Sequence, residues 1–217
     1  MNKGIFVALL LLLPTFSEAQ TPSKLIYGGI GASAYSGDLA KFEKWSSSFY
    51  LGLKFNNSKR INGNVTFTFG SVTGQNSNYV FQTSQGPATP NKFFKTEFIS
   101  LNYDLQVNFI KKKNFIAFIS QGIGLSSFDP QDEFFNKLID QLETREEDES
   151  YSSISLILPT QLGIIYLFDN GYGFGAKIGF INSATDYLDN IGLWGNKSGN
   201  DNILSVKFLF YVPIEFK

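Results

Sequence analysis

Alternation of apolar and polar residues constrains the fold of this chain more than any other feature. Residues 61–69, INGNVTFTF, place Ile, Val and Phe side chains on one face and Asn and Thr side chains on the other. Successive side chains of a β-strand point to opposite faces, so this segment is predicted to be a strand with one apolar and one polar side. The same pattern recurs over residues 98–109, 172–180 and 204–216.

Four weaker segments bring the number of predicted strands to eight. They are residues 25–35, 48–56, 115–126 and 154–168, of which 115–126 alternates so poorly that its register stays open. Most of the eight segments have 9 to 15 residues, and a tilted strand needs about 9–11 residues to cross a membrane. Their lengths therefore suit a transmembrane sheet.

The connections between these segments alternate in length. The long ones cover about residues 36–47, 70–94, 127–153 and 185–203, and the short ones cover about 57–60, 110–114 and 169–171. Outer-membrane barrels have short periplasmic turns and long external loops. The sequence therefore predicts an all-β fold, an eight-stranded antiparallel up-and-down transmembrane β-barrel with both termini in the periplasm.

A soluble barrel of the lipocalin type is the alternative, with its apolar face turned inward. Its exterior would then be the polar face, which is rich in Asn, Gln, Gly and Thr and poor in charge. Charged residues make up 17% of the chain, below the roughly 25% of ordinary soluble domains. The composition therefore favours the membrane barrel.

The N-terminus has the pattern of a cleaved export signal. Lys3 precedes an apolar run over residues 5–13, and small residues precede position 20 as in a cleavage site. The run is far shorter than the ~20 residues of a membrane-spanning helix, which disfavours a permanent helical anchor. We expect a signal peptide over residues 1–19 and an outer-membrane barrel domain over residues 20–217.

The lack of two residue types excludes much of enzymology. Without histidine or cysteine there is no Ser-His-Asp triad, no histidine-ligated zinc and no thiol nucleophile. Asp186, Asp189 and Asp201 gather in the last predicted loop, but no histidine is there to assist an acid pair. A net charge of −1 disfavours a nucleic-acid partner. We expect a non-enzymatic protein with no cofactor, no metal and no small-molecule substrate.

One predicted external loop, residues 128–152, is strongly acidic. Its nine acidic residues, against Lys137 and Arg145, are Asp129, Asp132, Glu133, Asp140, Glu143, Glu146, Glu147, Asp148 and Glu149. Apolar residues at helical spacing predict a short amphipathic helix over about 131–143. The loop is expected to bind divalent cations or a basic partner, or to form a solvated cap over the barrel mouth. It lacks the spaced ligands of an EF-hand, so no metal site is predicted.

The opposite end of the predicted barrel is basic. One short turn carries Lys59 and Arg60, and another carries Lys111, Lys112 and Lys113. These side chains are candidates for docking a periplasmic protein complex. The alternative is that they snorkel at the edge of the outer-membrane lipid.

Four charged residues share the polar parity of their strands and are expected to point into the lumen: Lys54, Asp104, Lys177 and Lys207. An eight-stranded barrel is filled by its own side chains, so charges inside it need partners. We expect a lumen charge network in which Asp104 lies within salt-bridge reach of Lys54 or Lys177, directly or through water.

Several short stretches give the chain a family resemblance. Residues 27–31 and 35–39 (YGGIG and YSGDL) resemble the opening strand and first loop of small outer-membrane barrels from Bacteroidetes, and residues 185–190 (TDYLDN) resemble their last external loop. Residues 200–202 (NDN), and Pro159 with Gly163, also fit. Over essentially its whole mature length the chain resembles the PorG-like family, whose named member is an accessory outer-membrane protein of the type IX secretion system.

The resemblance implies a barrel in the outer membrane and, more finely, a role. The named member is assigned to tethering the periplasmic ring of the secretion machine to the outer membrane, so the resemblance implies a non-enzymatic anchor for a secretion-associated periplasmic complex. The alternative is a surface-exposed binding protein or adhesin that uses the acidic loop and the last external loop.

Overall fold

Eight long strands close into an antiparallel barrel. The computed structural model describes residues 22–83, 86–88, 91–140, 152–192, 195 and 199–216, so the expected signal peptide lies outside the described residues. The barrel strands are β1 (Pro22–Ser36), β2 (Lys41–Phe55), β3 (Ile61–Gln75), β6 (Phe93–Lys111), β7 (Phe115–Gln131), β8 (Ile154–Leu167), β9 (Gly173–Ser183) and β10 (Asn202–Phe216). Between β3 and β6, β4 (Phe81–Thr83) and β5 (Gly86–Ala88) form a small hairpin.

Each barrel strand pairs with the next barrel strand along the chain, and β1 pairs with β10 to close the barrel. This is the up-and-down topology that the sequence predicts. One end of the barrel, here called the turn end, has the short connections 56–60, 112–114 and 168–172. The first residue of β1 and the last residue of β10 also lie at this end. The other end, the loop end, has the remaining connections.

Sequence alternation corresponds to the inside and outside of the barrel. On β6, Leu101 and Tyr103 are 57% and 49% exposed, whereas the intervening Asn102 and Asp104 are 6% and 1% exposed. The other barrel strands likewise carry exposed Ile, Leu and Phe side chains on the outer face. The apolar face therefore points outward, which is the reverse of the lipocalin-type arrangement.

The register of β7, left open by the sequence, is settled by the structure. Ile119, Ile123 and Leu125 point outward, and Ile116 and Phe118 are buried inside. The alternation is weak because the lumen next to the turn end is itself apolar, so both faces of this part of β7 carry hydrophobic residues.

The first external connection is shorter than predicted. β2 begins at Lys41, so the connection covers residues 37–40 rather than 36–47, and Gly37 N donates a 3.0 Å hydrogen bond to Ala40 O across the turn. Residues 41–47 continue the strand past the apolar band, where alternation of hydrophobicity no longer marks a strand. Backbone pairing with β1 holds them there.

The short helix predicted in the acidic loop is reduced to a single 3₁₀ turn, Leu138–Asp140. Residue 131 instead ends β7, and residues 132–136 form a turn in which Phe135 has a positive φ of 65°. The rest of the predicted helix, residues 141–143, lies outside the described residues. In the described part of the chain, no helix has the length and apolar character needed to cross a membrane.

Two buried apolar clusters lie inside the barrel wall, one near each end. The loop-end cluster contains Tyr35, Leu39, Ala40, Val72, Phe94, Phe98, Phe128, Leu138, Ile157, Ile181, Leu188, Ile191 and Ile203. The turn-end cluster contains Leu25, Tyr27, Tyr50, Ile116, Phe118, Ile165, Leu167, Leu209 and Tyr211. Buried polar and charged side chains also face the lumen, and they are where the candidate site begins.

Candidate functional site

The structure brings all four predicted lumen charges into the interior. Lys54 and Asp104 are each 1% exposed, and Lys177 and Lys207 are each 4% exposed. Their inward orientation follows from strand parity, because each lies between two outward-facing residues of its strand. Lys177 and Lys207 are direct partners across β9 and β10.

Asp104 is held by neutral donors rather than by lysine. Its carboxylate accepts hydrogen bonds from Asn64 Nδ2 at 2.9 Å, Asn102 Nδ2 at 2.7 Å and Thr66 Oγ1 at 3.3 Å. Within the described residues, the ion pairs closer than 4.0 Å all lie outside the lumen. The expected direct salt bridge is therefore not formed. Asn64 is the cross-strand partner of Asp104 and Asn102 lies two residues away, so their amides reach the carboxylate first.

The lumen lysines contact amide oxygen and aromatic rings. Lys54 Nζ donates a 2.6 Å hydrogen bond to Gln106 Oε1. Lys177 Nζ lies 5.0 Å from the centroid of the Tyr27 ring, and Lys207 Nζ lies 4.5 Å from that of Tyr50. Aromatic ring faces attract cations, so these contacts offset part of the cost of burying the ammonium groups.

At the turn end, the two basic turns meet. Lys111 Nζ donates hydrogen bonds to Asn56 O at 3.1 Å and to Ser58 O at 2.8 Å, which ties the turn after β6 to the turn after β2. Between the turns is a pocket of about 430 Å³ lined by Asn56, Asn57, Ser58, Lys59, Lys111, Lys112 and Lys113. The structure therefore brings together four of the five predicted docking residues, and Arg60 is exposed beside Lys59.

One carboxylate stands close to this basic group. Lys113 Nζ lies 3.0 Å from Asp169 Oδ1, in the neighbouring turn after β8. Lys113, with a further hydrogen bond from Asn114, lowers the pKa of Asp169 below its ordinary value. Both side chains are largely exposed, so this ion pair stabilises the turn end only weakly.

At the loop end, Tyr35 connects two buried carboxyl groups of the last loop. Its hydroxyl lies 2.6 Å from Asp189 Oδ2 and 2.8 Å from Asp201 Oδ1. The second oxygen of each carboxyl accepts a backbone N–H, from Ile191 and Leu188 respectively. The two aspartates are evident in the sequence as a cluster in the last loop. Their partner Tyr35 is not, because no local pattern shows that the last loop folds down onto β1.

The chemistry of this triad requires a shared proton. A phenol hydroxyl carries one proton, so Tyr35 donates to one carboxyl while the other is protonated and donates to the phenol oxygen. Burial accordingly raises the pKa of Asp189 to about 8 and the pKa of Asp201 well above its ordinary value. Asp189 and Asp201 are both 0% exposed, so their hydrogen bonds to Tyr35 fasten the loop to β1 away from solvent.

The same loop is fastened to β6 and to the segment before it. Thr96 Oγ1 donates a hydrogen bond to Leu188 O, and Asn91 Nδ2 donates one to Asp189 O at 2.7 Å. Leu188 and Ile191 are buried in the loop-end cluster. The last external loop thus covers the mouth of the barrel, and Leu138 of the acidic loop is buried in the same cluster.

The described part of the acidic loop presents an ordered turn with two exposed aromatic rings. Asp132 Oδ1 accepts hydrogen bonds of 2.8 Å from the backbone N–H of Phe134 and of Asn136, and Phe134 and Phe135 are 73% and 74% exposed. Asp129 pairs with Lys137 at 3.1 Å. Glu133 and Asp140 are also described, whereas the remaining acidic candidates lie outside the described residues: Glu143, Glu146, Glu147, Asp148 and Glu149. Within the described ranges, no group of three or more His, Cys, Asp or Glu side chains could hold a metal ion.

Comparisons with known proteins identify the fold. No family model and no curated protein matches the sequence. Neisserial surface protein A matches with a TM-score of 0.56 and 10% identity, over 88% of this chain and 97% of that one. Ail, the attachment invasion locus protein of Yersinia pestis, matches with a TM-score of 0.50 and 10% identity, over 88% of this chain and 98% of that one. A complex of Ail with the heparin analogue sucrose octasulfate matches with the same TM-score and 11% identity.

These likenesses define the class of the fold. The chain has the architecture of the small eight-stranded outer-membrane β-barrels, with the strand number, topology and outward apolar face that the sequence predicts. At 10–11% identity the likeness concerns the fold alone. The finer resemblance to the PorG-like family stays a prediction.

Proposed function

We propose that this chain is a non-enzymatic outer-membrane β-barrel that anchors a periplasmic protein complex through its turn end. The outward apolar face supports insertion into the lipid of the outer membrane, with the turn end and both termini in the periplasm. Following the resemblance found in the sequence, the complex is one associated with secretion of the type IX kind.

The basic pocket at the turn end carries this proposal. Lys111 fixes the two turns against each other, and Lys59 and Lys112 project beside it from exposed positions. A fixed cluster of like charges attracts an acidic partner and orients it, because electrostatic complementarity steers association and sets register.

A complementation experiment tests the anchor role. A strain lacking the gene is complemented with the wild-type chain, with the double variant Lys59→Glu/Lys112→Glu, and with a loop-end control, Lys41→Glu. We expect the deletion to lower secretion of type IX cargo, and the turn-end variant to fail in restoring it although it reaches the outer membrane. The control should restore secretion fully. A normal secretome in the deletion strain would contradict the proposal.

The exposed Phe134 and Phe135 support a second candidate, a surface-exposed binding protein. Two large apolar side chains on an ordered turn are a feature of contact surfaces rather than of solvated loops. Ail, which shares the fold, has been solved with a heparin analogue. The acidic character of residues 128–152 would repel a polyanion of that kind, so the partner of this loop would be basic.

Attachment of whole cells separates the two candidates. Under the binding-protein proposal, Phe134→Ser/Phe135→Ser should lower attachment of cells to a surface coated with a basic protein, and should leave the secretome unchanged. Under the anchor proposal the same variant changes neither quantity. Outer-membrane levels of the variant, measured by fractionation, provide the control for expression.

A further inference from the structure

The lumen holds more buried positive charge than negative charge. Lys54, Lys177 and Lys207 share the interior with one carboxylate, that of Asp104. In the described part of the chain, the other acidic residues that are buried as a whole are Asp189 and Asp201, at the loop end. A buried ammonium group stays charged only if it has a counter-charge or several strong hydrogen bonds, so a bound anion would hold these lysines in their charged form.

The carboxylate of Asp104 makes no direct ion pair with these lysines and is one negative charge among three ammonium groups. Its oxygens accept hydrogen bonds from three neutral donors, on Asn64, Thr66 and Asn102. Lys54 has Gln106 as an acceptor. Among the described residues, the ammonium groups of Lys177 and Lys207 make cation–π contacts with aromatic rings. Such a contact offsets only part of the free-energy cost of burying an ammonium group.

Lys177 and Lys207 are also placed so that they repel each other. They are direct cross-strand partners on the inner face of β9 and β10. The Cβ atoms of directly opposite residues are about 4.5–5.5 Å apart, and like charges at such positions are destabilising. An anion between the two ammonium groups would reverse the sign of this interaction.

Two neutral polar groups without a hydrogen-bond partner among the described residues lie on β7 and β8, next to β9. Ser120 Oγ and Gln161 Nε2 are buried and have no hydrogen-bond partner among the described residues. Ser120 faces Gln161 across β7 and β8. Gln161 in turn faces Gly179, two residues from Lys177, so the Gln161 amide lies diagonal to Lys177 with no side chain at position 179 between them.

We propose that Ser120, Gln161, Lys177 and Lys207 form a binding site for a small monovalent anion such as chloride. The hydroxyl, the amide N–H and the two ammonium groups are all donors, as a halide requires. The lumen of an eight-stranded barrel is either filled by side chains or holds one small ligand, which favours a small ion over a bulky organic anion. The site is independent of the proposed function, which uses the outside of the turn end.

Thermal unfolding in matched salts tests the site. The protein, refolded in lipid vesicles, is compared in sodium chloride and in sodium gluconate at equal ionic strength. We expect the unfolding midpoint to be higher in chloride by about 3 °C, the size of shift that mass action gives for a ligand at several times its Kd. Lys177→Met and Lys207→Met should abolish the difference, whereas the turn-end control Lys112→Met should keep it. Equal midpoints for the wild type, or a difference that survives in both lumen variants, would overturn the proposal.

A second variant tests the site without removing a lysine. Gln161→Glu places a fixed carboxylate diagonal to Lys177, so it should unfold in gluconate at or above the wild-type midpoint in chloride and should no longer respond to chloride. Crystals grown in bromide should show an anomalous peak between Lys177 and Lys207. Peaks only at the turn-end lysines would identify an adventitious ion only, and would overturn the proposal, as would a Gln161→Glu variant that still responds to chloride.

Discussion

At Tyr35, one hydroxyl proton lies between two carboxyl groups. The hydroxyl oxygen lies 2.6 Å from Asp189 Oδ2 and 2.8 Å from Asp201 Oδ1. The hydroxyl proton can serve only one of these two hydrogen bonds, so the other needs a second proton, carried by a carboxyl group. The loop is therefore fastened by a carboxylic acid in its neutral form. The aspartates could be found in the sequence, but their partner could not, because Tyr35 and Asp201 are far apart along the chain and meet only when the barrel closes.

Stability should therefore depend on pH at this triad. A carboxyl whose folded pKa is raised binds its proton in the folded state at pH values where the unfolded chain has lost it, so its contribution is complete below the ordinary carboxyl pKa and is lost as pH rises. For Asp189, the loss extends up to its folded pKa of about 8. We expect the free energy of unfolding to fall between pH 5 and pH 8 by an amount of the order of 1 kcal/mol per pH unit.

Denaturant unfolding of the barrel in vesicles at several pH values measures this slope. The double variant Asp189→Asn/Asp201→Asn should show a flatter profile over the same range, because it has no proton to lose. Asp169→Asn, at the exposed turn end, is the control and should keep the wild-type slope. An identical slope in the double variant would show that other groups govern the pH dependence.

At the scale of the strand, the β7–β8 ladder is interrupted in the middle. Paired positions run to Gln121–Thr160 and resume at Gly124–Ile157. In an antiparallel ladder, hydrogen-bonded residue pairs alternate with non-hydrogen-bonded pairs. The bonds from Phe128 N to Ser153 O and from Leu167 N to Asn114 O show which pairs are hydrogen-bonded. By this alternation, Gly122–Pro159 is a hydrogen-bonded pair. Proline has no N–H, so the Gly122 carbonyl loses its donor.

Two side chains on the outer face repair this interruption. Gln121 Nε2 donates to Gly122 O at 3.3 Å, and Thr160 Oγ1 donates to Gln121 Oε1 at 2.6 Å. Polar side chains in the outward apolar band would otherwise be unfavourable. The pair therefore explains why Gln121 stands where the alternation calls for an apolar residue.

A double-mutant cycle measures the coupling between Gln121 and Pro159. Gln121→Leu alone should destabilise the barrel, because Gly122 O is left without a donor. In the background of Pro159→Ala, whose new N–H can supply that carbonyl, the same change should cost less, with a coupling free energy of about 1 kcal/mol. Free energies of folding from urea titrations in vesicles give the four values, and strict additivity would contradict the proposed repair.

The strands were predictable from sequence to the extent that lipid and lumen impose different chemistry on the two faces. The alternation in 61–69 and 98–109 gives the correct orientation of every described residue there. Residues 41–47 were predicted as loop because their apolar and polar residues do not alternate. The segment 115–126 gave no register because Ile116 and Phe118 face an apolar layer of the lumen. Backbone pairing, which has no side-chain signature, determines the strand over residues 41–47 and the register over residues 115–126.

On the scale of the whole molecule, the two ends of the barrel differ in structure and charge. The turn end has short connections and a lysine-lined pocket, and the loop end has the folded-down last loop and the acidic segment. Three of the four long connections could be predicted from sequence, the first being a short turn over residues 37–40. The folding of residues 184–192 into the mouth could not be predicted, because it depends on contacts with β6 and β1.

Cysteine labelling tests the orientation in the membrane. The chain has no native cysteine, so single substitutions at exposed positions give clean probes. Ser77→Cys, at the loop end, should react with a membrane-impermeant maleimide on intact cells. Ser58→Cys, at the turn end, should react only after the outer membrane is permeabilised. The reverse pattern would place the turn end outside the cell and would remove the basis for periplasmic docking.

The pairing of the first strand with the last has a consequence for how the protein is made. β1 contacts β10 from Pro22–Phe216 to Ser36–Asn202, so the first strand to be synthesised waits for the last one before its second edge is hydrogen-bonded. A chain in transit across the periplasm therefore has open strand edges, which are prone to pair with other chains. Joining the two ends closes the longest loop in the molecule, so this step is expected to limit the folding rate. A chain that loses its final strand also leaves the first one unpaired, and the result is an aggregation-prone sheet rather than a smaller barrel.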